Sequence, residues 1–325
     1  MAVGAGLFLA AGCTRKPPGI LRIRNLLSGS ALALLIAQAA VAAAPPTPNA
    51  YPGPVSAMDT SYTLGPDVLG WSGNLRALFG TPTSLGQFSM LRTLLAGAPM
   101  FPPGVHPMGL MAPDRESLVV VSLEPLESLK NARLASYRVG LWPQSGLAAH
   151  DPRYASPLGF IAVTPENAST QVSKHFRLRD FLTHDQQDVW PKVLVLRASL
   201  LDKLELIEAE LSRRGMHATL HVMSGFRSPQ YNALGVGSRG GRASVSRHMY
   251  GDAADVFVDE DGDGRMDDLD GDGRITVRDA RVLLAVAESV EVMHPDLVGG
   301  LSAYPANAEH GPFVHVDTRG KRARW

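Results

Sequence analysis

Between residues 192 and 318 the hydrophobic pattern switches repeatedly between a helical and an extended period, and this switching limits the fold more than any other feature. Leu194, Leu200, Leu201, Leu204, Ile207 and Leu211 recur at helical spacing with charged residues between them. That pattern predicts a helix over 192–214, stopped by Gly215. Ala218–Met223 alternates like a strand. A second helix is predicted from Val277 to about Val292, with Asp279 near its start and Val282, Leu283, Val286 and Val290 as its apolar face. Phe313–Thr318 reads as a final strand. Helices and short strands in this order predict an α+β fold: helices packed on a short, largely antiparallel sheet.

Upstream, Ser117–Ser122, Tyr137–Trp142 and Gly159–Thr164 read as strands among glycines and prolines. They predict a small β-rich lobe over 57–175, which carries no motif of its own. Residues 45–56 are rich in Pro, Ala and Gly and read as a linker. Residues 1–44 read as an export signal. Arg15, Lys16, Arg22 and Arg24 precede the uncharged run Leu26–Ala40, and Ala42–Ala44 supplies small residues for cleavage. The run is shorter than the roughly 20 apolar residues of a membrane span. The expectation is an exported protein, periplasmic or extracellular, with no stable span after cleavage.

The 325 residues carry 31 basic and 31 acidic side chains, so nothing in the charge favours nucleic acid or an anionic membrane as partner. Cys13 is the sole cysteine and would leave with the signal. The mature chain then has no disulfide, thiolate ligand or cysteine nucleophile. Any metal must be held by His, Asp or Glu.

Three segments offer such ligands: Ser224–Pro229 (Ser-Gly-Phe-Arg-Ser-Pro), Ser246–Asp255 (Ser-Arg-His-Met-Tyr-Gly-Asp-Ala-Ala-Asp) and Phe313–Asp317 (Phe-Val-His-Val-Asp). A catalytic zinc takes three protein ligands and keeps a fourth position open. His248, Asp255 and His315 supply two imidazoles and one carboxylate, which leave the ion a net positive charge. Such an ion lowers the pKa of water and polarises a carbonyl. Gly251 and the two alanines let the chain turn between the first two ligands.

The wording of Ser-x-His-x-x-Gly-x-Ala-x-Asp resembles the signature of the zinc D-alanyl-D-alanine carboxypeptidases and murein endopeptidases, a group that includes lysostaphin-type enzymes. Ser224–Pro229 resembles the arginine motif of that group, and the late His315 matches its third ligand. The resemblance covers about residues 176–325. It implies zinc on His248, Asp255 and His315, Arg227 as the cation for the substrate oxygen, and peptidoglycan peptides as substrate. The chain departs from the group at the general base. Many relatives place Glu or His two or three residues before the last ligand; here those positions are Phe313 and Pro312. Asp317, two residues past His315 on the same strand face, and Glu309, on the loop before it beside His310, are the substitutes expected.

Nine acids lie between Asp259 and Asp279. Asp259, Asp261, Asp263, Asp267 and Asp270 occupy positions 1, 3, 5, 9 and 12 of a calcium loop, with Gly264 at position 6. A second loop overlaps it, with Asp268, Asp270, Asp272, Gly273, Thr276 and Asp279. The second leads into the helix from Val277, as in an EF-hand or dockerin half. The expectation is a structural calcium insertion at 259–279. Two functions follow: an exported zinc peptidase, or a non-catalytic cell-wall module that keeps the peptidase fold.

Overall fold

The computed structural model describes residues 75–80, 101–111, 116–216, 219–237 and 241–325. The expected export signal, the linker and the first part of the β-rich lobe lie outside the described residues. No described helix is long and apolar enough to cross a membrane.

The upstream strands are β1 (Leu75–Gly80), β2 (Gly104–Met111), β3 (Glu116–Ser122), β4 (Glu124–Pro125), β5 (Arg133–Leu134), β6 (Tyr137–Arg138) and β7 (Gly159–Val163), with a one-turn helix α1 (Leu147–His150) between the last two. β3 is central to a three-stranded sheet, parallel to β1 and antiparallel to β2. β8 (Lys192–Leu194) pairs antiparallel with β7, so strands on either side of residue 175 share a sheet. Phe160, Ile161, Val193 and Leu194 join the same hydrophobic core as the later helices.

The first long helix, α2, spans Ala198–Arg213 rather than starting at 192. Residues 192–194 are all buried. A short run buried on both faces carries no period, and it reads equally well as either element. α2 buries Leu200, Leu204, Ile207 and Leu211. A six-residue helix α3 (Pro229–Leu234) follows β9 (Leu220–Ser224). The second long helix, α4 (Val277–Met293), begins at a capping box: Thr276 accepts from the backbone while Asp279 accepts from the Thr276 amide.

Strands β9, β10 (Ala253–Val258), β11 (Gly300–Tyr304), β12 (Phe313–Asp317) and β13 (Ala323–Arg324) form a five-stranded sheet in the order β13-β11-β12-β10-β9. All its pairs are antiparallel except the short β11–β13 edge. The mixture of helices and antiparallel sheets is α+β. Alternation assigns the two faces of the sheet. Ala254, Val256, Leu301, Val314 and Val316 join the core that Leu283, Val286, Ala287 and Val290 of α4 complete. The residues between them, including Asp255 and His315, point to the opposite face.

Candidate metal centre

One line of register builds the centre. Ser302 of β11 pairs with His315 of β12, His315 with Asp255 of β10, and Asp255 with Ser224 of β9. Four strands therefore present one residue each along a row on the face away from α4. His248 reaches this row from a single helical turn, Arg247–Tyr250, which ends at Gly251 with φ +71°. The turn glycine is needed, but its close approach is to Val195: a Cβ would lie 2.5 Å from that carbonyl oxygen.

The two upstream motifs hold each other. The Arg227 amide donates to the His248 carbonyl (3.2 Å), and His248 Nδ1 lies 2.7 Å from the Gly225 carbonyl. Gly225 packs so close to Phe181 that a Cβ would sit 2.6 Å from its Cα. A carbonyl can only accept, so His248 carries its proton on Nδ1 and turns the Nε2 lone pair inward. On the neighbouring strand, His315 Nε2 lies 3.1 Å from Asp317 Oδ2. That carboxylate also accepts from the Gly300 amide (2.8 Å), the Arg319 amide (3.1 Å) and the Arg319 guanidinium. His315 therefore donates from Nε2 and turns Nδ1 inward.

The inward atoms are His248 Nε2, His315 Nδ1 and Asp255 Oδ1. Their separations are 3.2 Å, 3.3 Å and 3.0 Å. With both protons committed outward, three lone pairs face one another with no donor between them. Such an arrangement suits a cation. Zinc at about 2.0–2.2 Å from its ligands in a tetrahedral site sets them roughly 3.3 Å apart, so the donor set and its spacing fit that ion. All three residues are buried.

The electrostatics agree. Burial alone would discourage ionisation of Asp255, yet His248, His315 and Arg227 hold its carboxyl well below the usual range. Burial opposes ionisation of Asp317 too, but His315 and Arg319 keep it well below. Burial pushes His248 down. Burial also acts to lower His315, but its bonds to Asp255 and Asp317 prevail and raise it. Two carboxylates are matched by Arg227 and Arg319, so a divalent ion would keep its charge for the substrate.

Arg227 donates to Asp255 Oδ2 and, through Nε, to Ser224 Oγ (3.0 Å). It thus stands beside the centre on the oxygen that the histidines do not use. Asp317 does not. Its carboxylate lies behind His315, on the ring nitrogen turned away from the centre, and its other contacts are donors. This geometry suits a residue that orients His315, and it removes Asp317 from the position a general base needs. Glu309 is exposed on the loop before β12, where its amide donates to Asn307 (2.7 Å). His310 is tied to Asn307 and lies edge-on to Phe313.

Sequence reasoning missed Arg319 and the Gly225 carbonyl, and neither has a signature of its own. It also missed Arg247 and Asp252, a buried pair inside the His248–Asp255 motif that braces the turn.

Residues 169–265 match the family described as Peptidase_M15_2, peptidoglycan L,D-endopeptidase MepK. The matched stretch contains Arg227, His248 and Asp255 and ends before His315. No curated protein and no solved structure matches the chain. The match supports a peptidase of the M15 type, and its description is that of an endopeptidase rather than a carboxypeptidase.

The acidic segment forms two loops built alike. Asp259 accepts from the amides of Gly262, Asp263 and Gly264; nine residues on, Asp268 accepts from those of Gly271, Asp272 and Gly273. Carboxylate oxygens of Asp259, Asp261 and Asp263 gather within 4.8 Å, as do those of Asp268, Asp270 and Asp279. Asp270 therefore belongs to the second cluster alone. Asp267 accepts from the Glu260 amide, Asp272 pairs with Arg278, and the Thr276 hydroxyl accepts from the Arg278 amide at the start of α4.

Proposed function

We propose that this chain is an exported, zinc-dependent peptidase that hydrolyses amide bonds within peptidoglycan peptides, acting as an endopeptidase. The observation that carries this is the convergence of three lone pairs from His248, Asp255 and His315, next to an arginine, inside a chain whose residues 169–265 match a peptidoglycan endopeptidase family. Zinc, when bound, supplies a Lewis acid for the amide carbonyl and a lowered pKa for water. The chain's own residues do the rest. Arg227, fixed by Ser224 and Asp255, stabilises the negative charge that develops on the substrate oxygen. Asp317, clamped by Arg319, holds His315 in the tautomer that offers Nδ1. Glu309 is assigned the proton transfer, because Asp317 is committed elsewhere.

The test is metal analysis combined with digestion of muropeptides by the mature chain. Stoichiometric zinc and cleavage of an internal peptide bond are expected, with cleavage abolished by a chelator. Glu309→Ala should keep zinc and lose activity; Asp317→Ala should lose zinc. Release of a terminal D-alanine instead would make the enzyme a carboxypeptidase. One observation favours the second reading, a non-catalytic cell-wall module: the Asp317 carboxylate lies behind His315 rather than on the inward side of the centre. Peptidoglycan binding that survives His315→Ala, without cleavage by the wild type, would establish that reading.

We also propose that calcium occupies the two acidic loops and stiffens the chain between β10 and α4. The repeated spacing and the two carboxylate clusters support this. Calcium addition should raise the Tm of the chelator-treated protein; an unchanged Tm would refute it.

A further inference from the structure

We propose that Trp325 is a substrate-binding residue whose exposed indole face forms one wall of the cleft, against which the peptide flanking the scissile bond packs. The inference rests on the peptidase reading above. Trp325 is 57% exposed, the most open of the large aromatic side chains around the centre. It is nevertheless held from several sides. It follows directly on β13, which runs beside β11. Its carbonyl accepts from Ser302 Oγ (2.5 Å), and its indole N–H donates to the Tyr304 hydroxyl (2.5 Å). The Arg319 guanidinium lies 5.5 Å from its ring. Tyr304 in turn stacks on Phe313 at 4.7 Å. An exposed aromatic side chain normally keeps rotamer freedom that binding must remove. This one has lost that freedom already and presents a rigid apolar face, as binding anchors do.

Position gives the ligand. The ring centre lies 5.3 Å from that of His315. An extended peptide advances about 3.3–3.6 Å per residue. A group resting on Trp325 while the amide sits at the centre is therefore a residue next to the scissile bond, not a distant sugar. Indole offers a face for aliphatic C–H groups, which matches the methyl and methylene groups of a stem peptide.

The test uses the zinc-loaded full chain with a sugar-free stem peptide and the matching muropeptide. Trp325→Ala should raise KM about tenfold on both substrates, leave kcat within about twofold and leave zinc content unchanged. Trp325→Phe, which keeps an apolar ring, should recover most of the loss. An unchanged KM would overturn the assignment. So would a fall in kcat accompanied by zinc loss, which would mean that the ring only packs on His315, or a KM effect confined to the sugar-bearing substrate. If the wild type cleaves neither substrate, the peptidase reading fails, and calorimetric titration of the same peptide decides for Trp325. Tenfold weaker binding to Trp325→Ala upholds the wall. Equal binding, or none to either protein, overturns it.

Discussion

The metal centre and the acidic loops both gather carboxylates, yet they solve the problem of packed charge in opposite ways. In the loops each carboxylate cluster faces a ring of backbone amides: three donate to Asp259 and three to Asp268. The loops carry donors of their own, to which a cation would add. At the centre every donor points outward, to Gly225 from His248 and to Asp317 from His315, and the inward side has acceptors alone. Dependence on metal should therefore be near absolute at the centre and graded in the loops.

The largest expected effect tests that dependence. His315→Ala should abolish zinc binding and cleavage together while calcium still raises the Tm. Retained zinc stoichiometry would break the contrast at its root. Next comes Arg227→Lys, which keeps a charge but loses the planar fork that meets both Ser224 and Asp255. Zinc should stay, and kcat should fall about 10²–10³-fold, the range for loss of a group that stabilises an oxyanion. A change in KM alone would reduce Arg227 to a binding role. Asp317→Asn should weaken zinc affinity by about 10–100-fold, the usual cost of removing the carboxylate behind a ligating histidine. Unchanged affinity with lost kcat would return Asp317 to the role of base.

The two regions should also part on acidification. Without metal, the His315 pKa is raised by Asp255 and Asp317, so protons compete for Nδ1 from above the ordinary histidine value of 6.5 downward. Zinc affinity should fall about tenfold per pH unit below that raised value, one proton displacing each ion. Asp259 pulls the other way. Burial favours its neutral form, but the backbone donors win and lower its pKa. Its ionised form therefore persists as pH falls past the unfolded value of 3.8. As pH falls the protein should lose zinc before calcium, which metal analysis after dialysis at a series of pH values would show.

How much of this was legible in sequence follows the same divide between local and distant partners. The two acidic clusters were legible in part, because the carboxylates and their backbone donors lie within a dozen residues, but the spacing put Asp270 in both loops and the structure groups it with Asp268 and Asp279. The three residues that the structure gathers at the centre were legible from the wording of their segments, but which nitrogen each histidine turns inward was not, since Gly225 and Asp317 decide it across the fold. Strands β3 and β12 follow from short apolar runs, and helix α4 from Asp279 at its start and the helical spacing of Leu283, Val286 and Val290. The start of α2 does not, because Lys192–Leu194 is buried on every side. Lys203 is the sharpest failure. Placed among charges that read as a solvent face, it is fully buried, with Nζ on Glu291 (2.5 Å), the Leu297 carbonyl (3.1 Å) and the Asp317 carbonyl (2.8 Å). Those acceptors lie 88 to 114 residues away, and no local pattern announces them.

The smallest expected effect separates the two loops from each other. By spacing, Asp270 serves as position 12 of the first loop and position 3 of the second; in the structure its carboxylate joins Asp268 and Asp279. Asp279 is fully buried and also caps α4, accepting from the amides of Leu269, Asp270 and Thr276. Calcium in the second loop would therefore brace the helix that backs the sheet, whereas calcium in the first would brace only the exit from β10. At a hundredfold excess over Kd, one ion stabilises a fold by about 2.7 kcal/mol, a shift of several degrees at most in a protein of this size. Asp270→Asn should remove the part of that shift due to the second loop and leave the part due to the first, with zinc content and cleavage unchanged. Loss of both parts would mean that the loops share the residue after all, and loss of neither that the second loop binds no calcium.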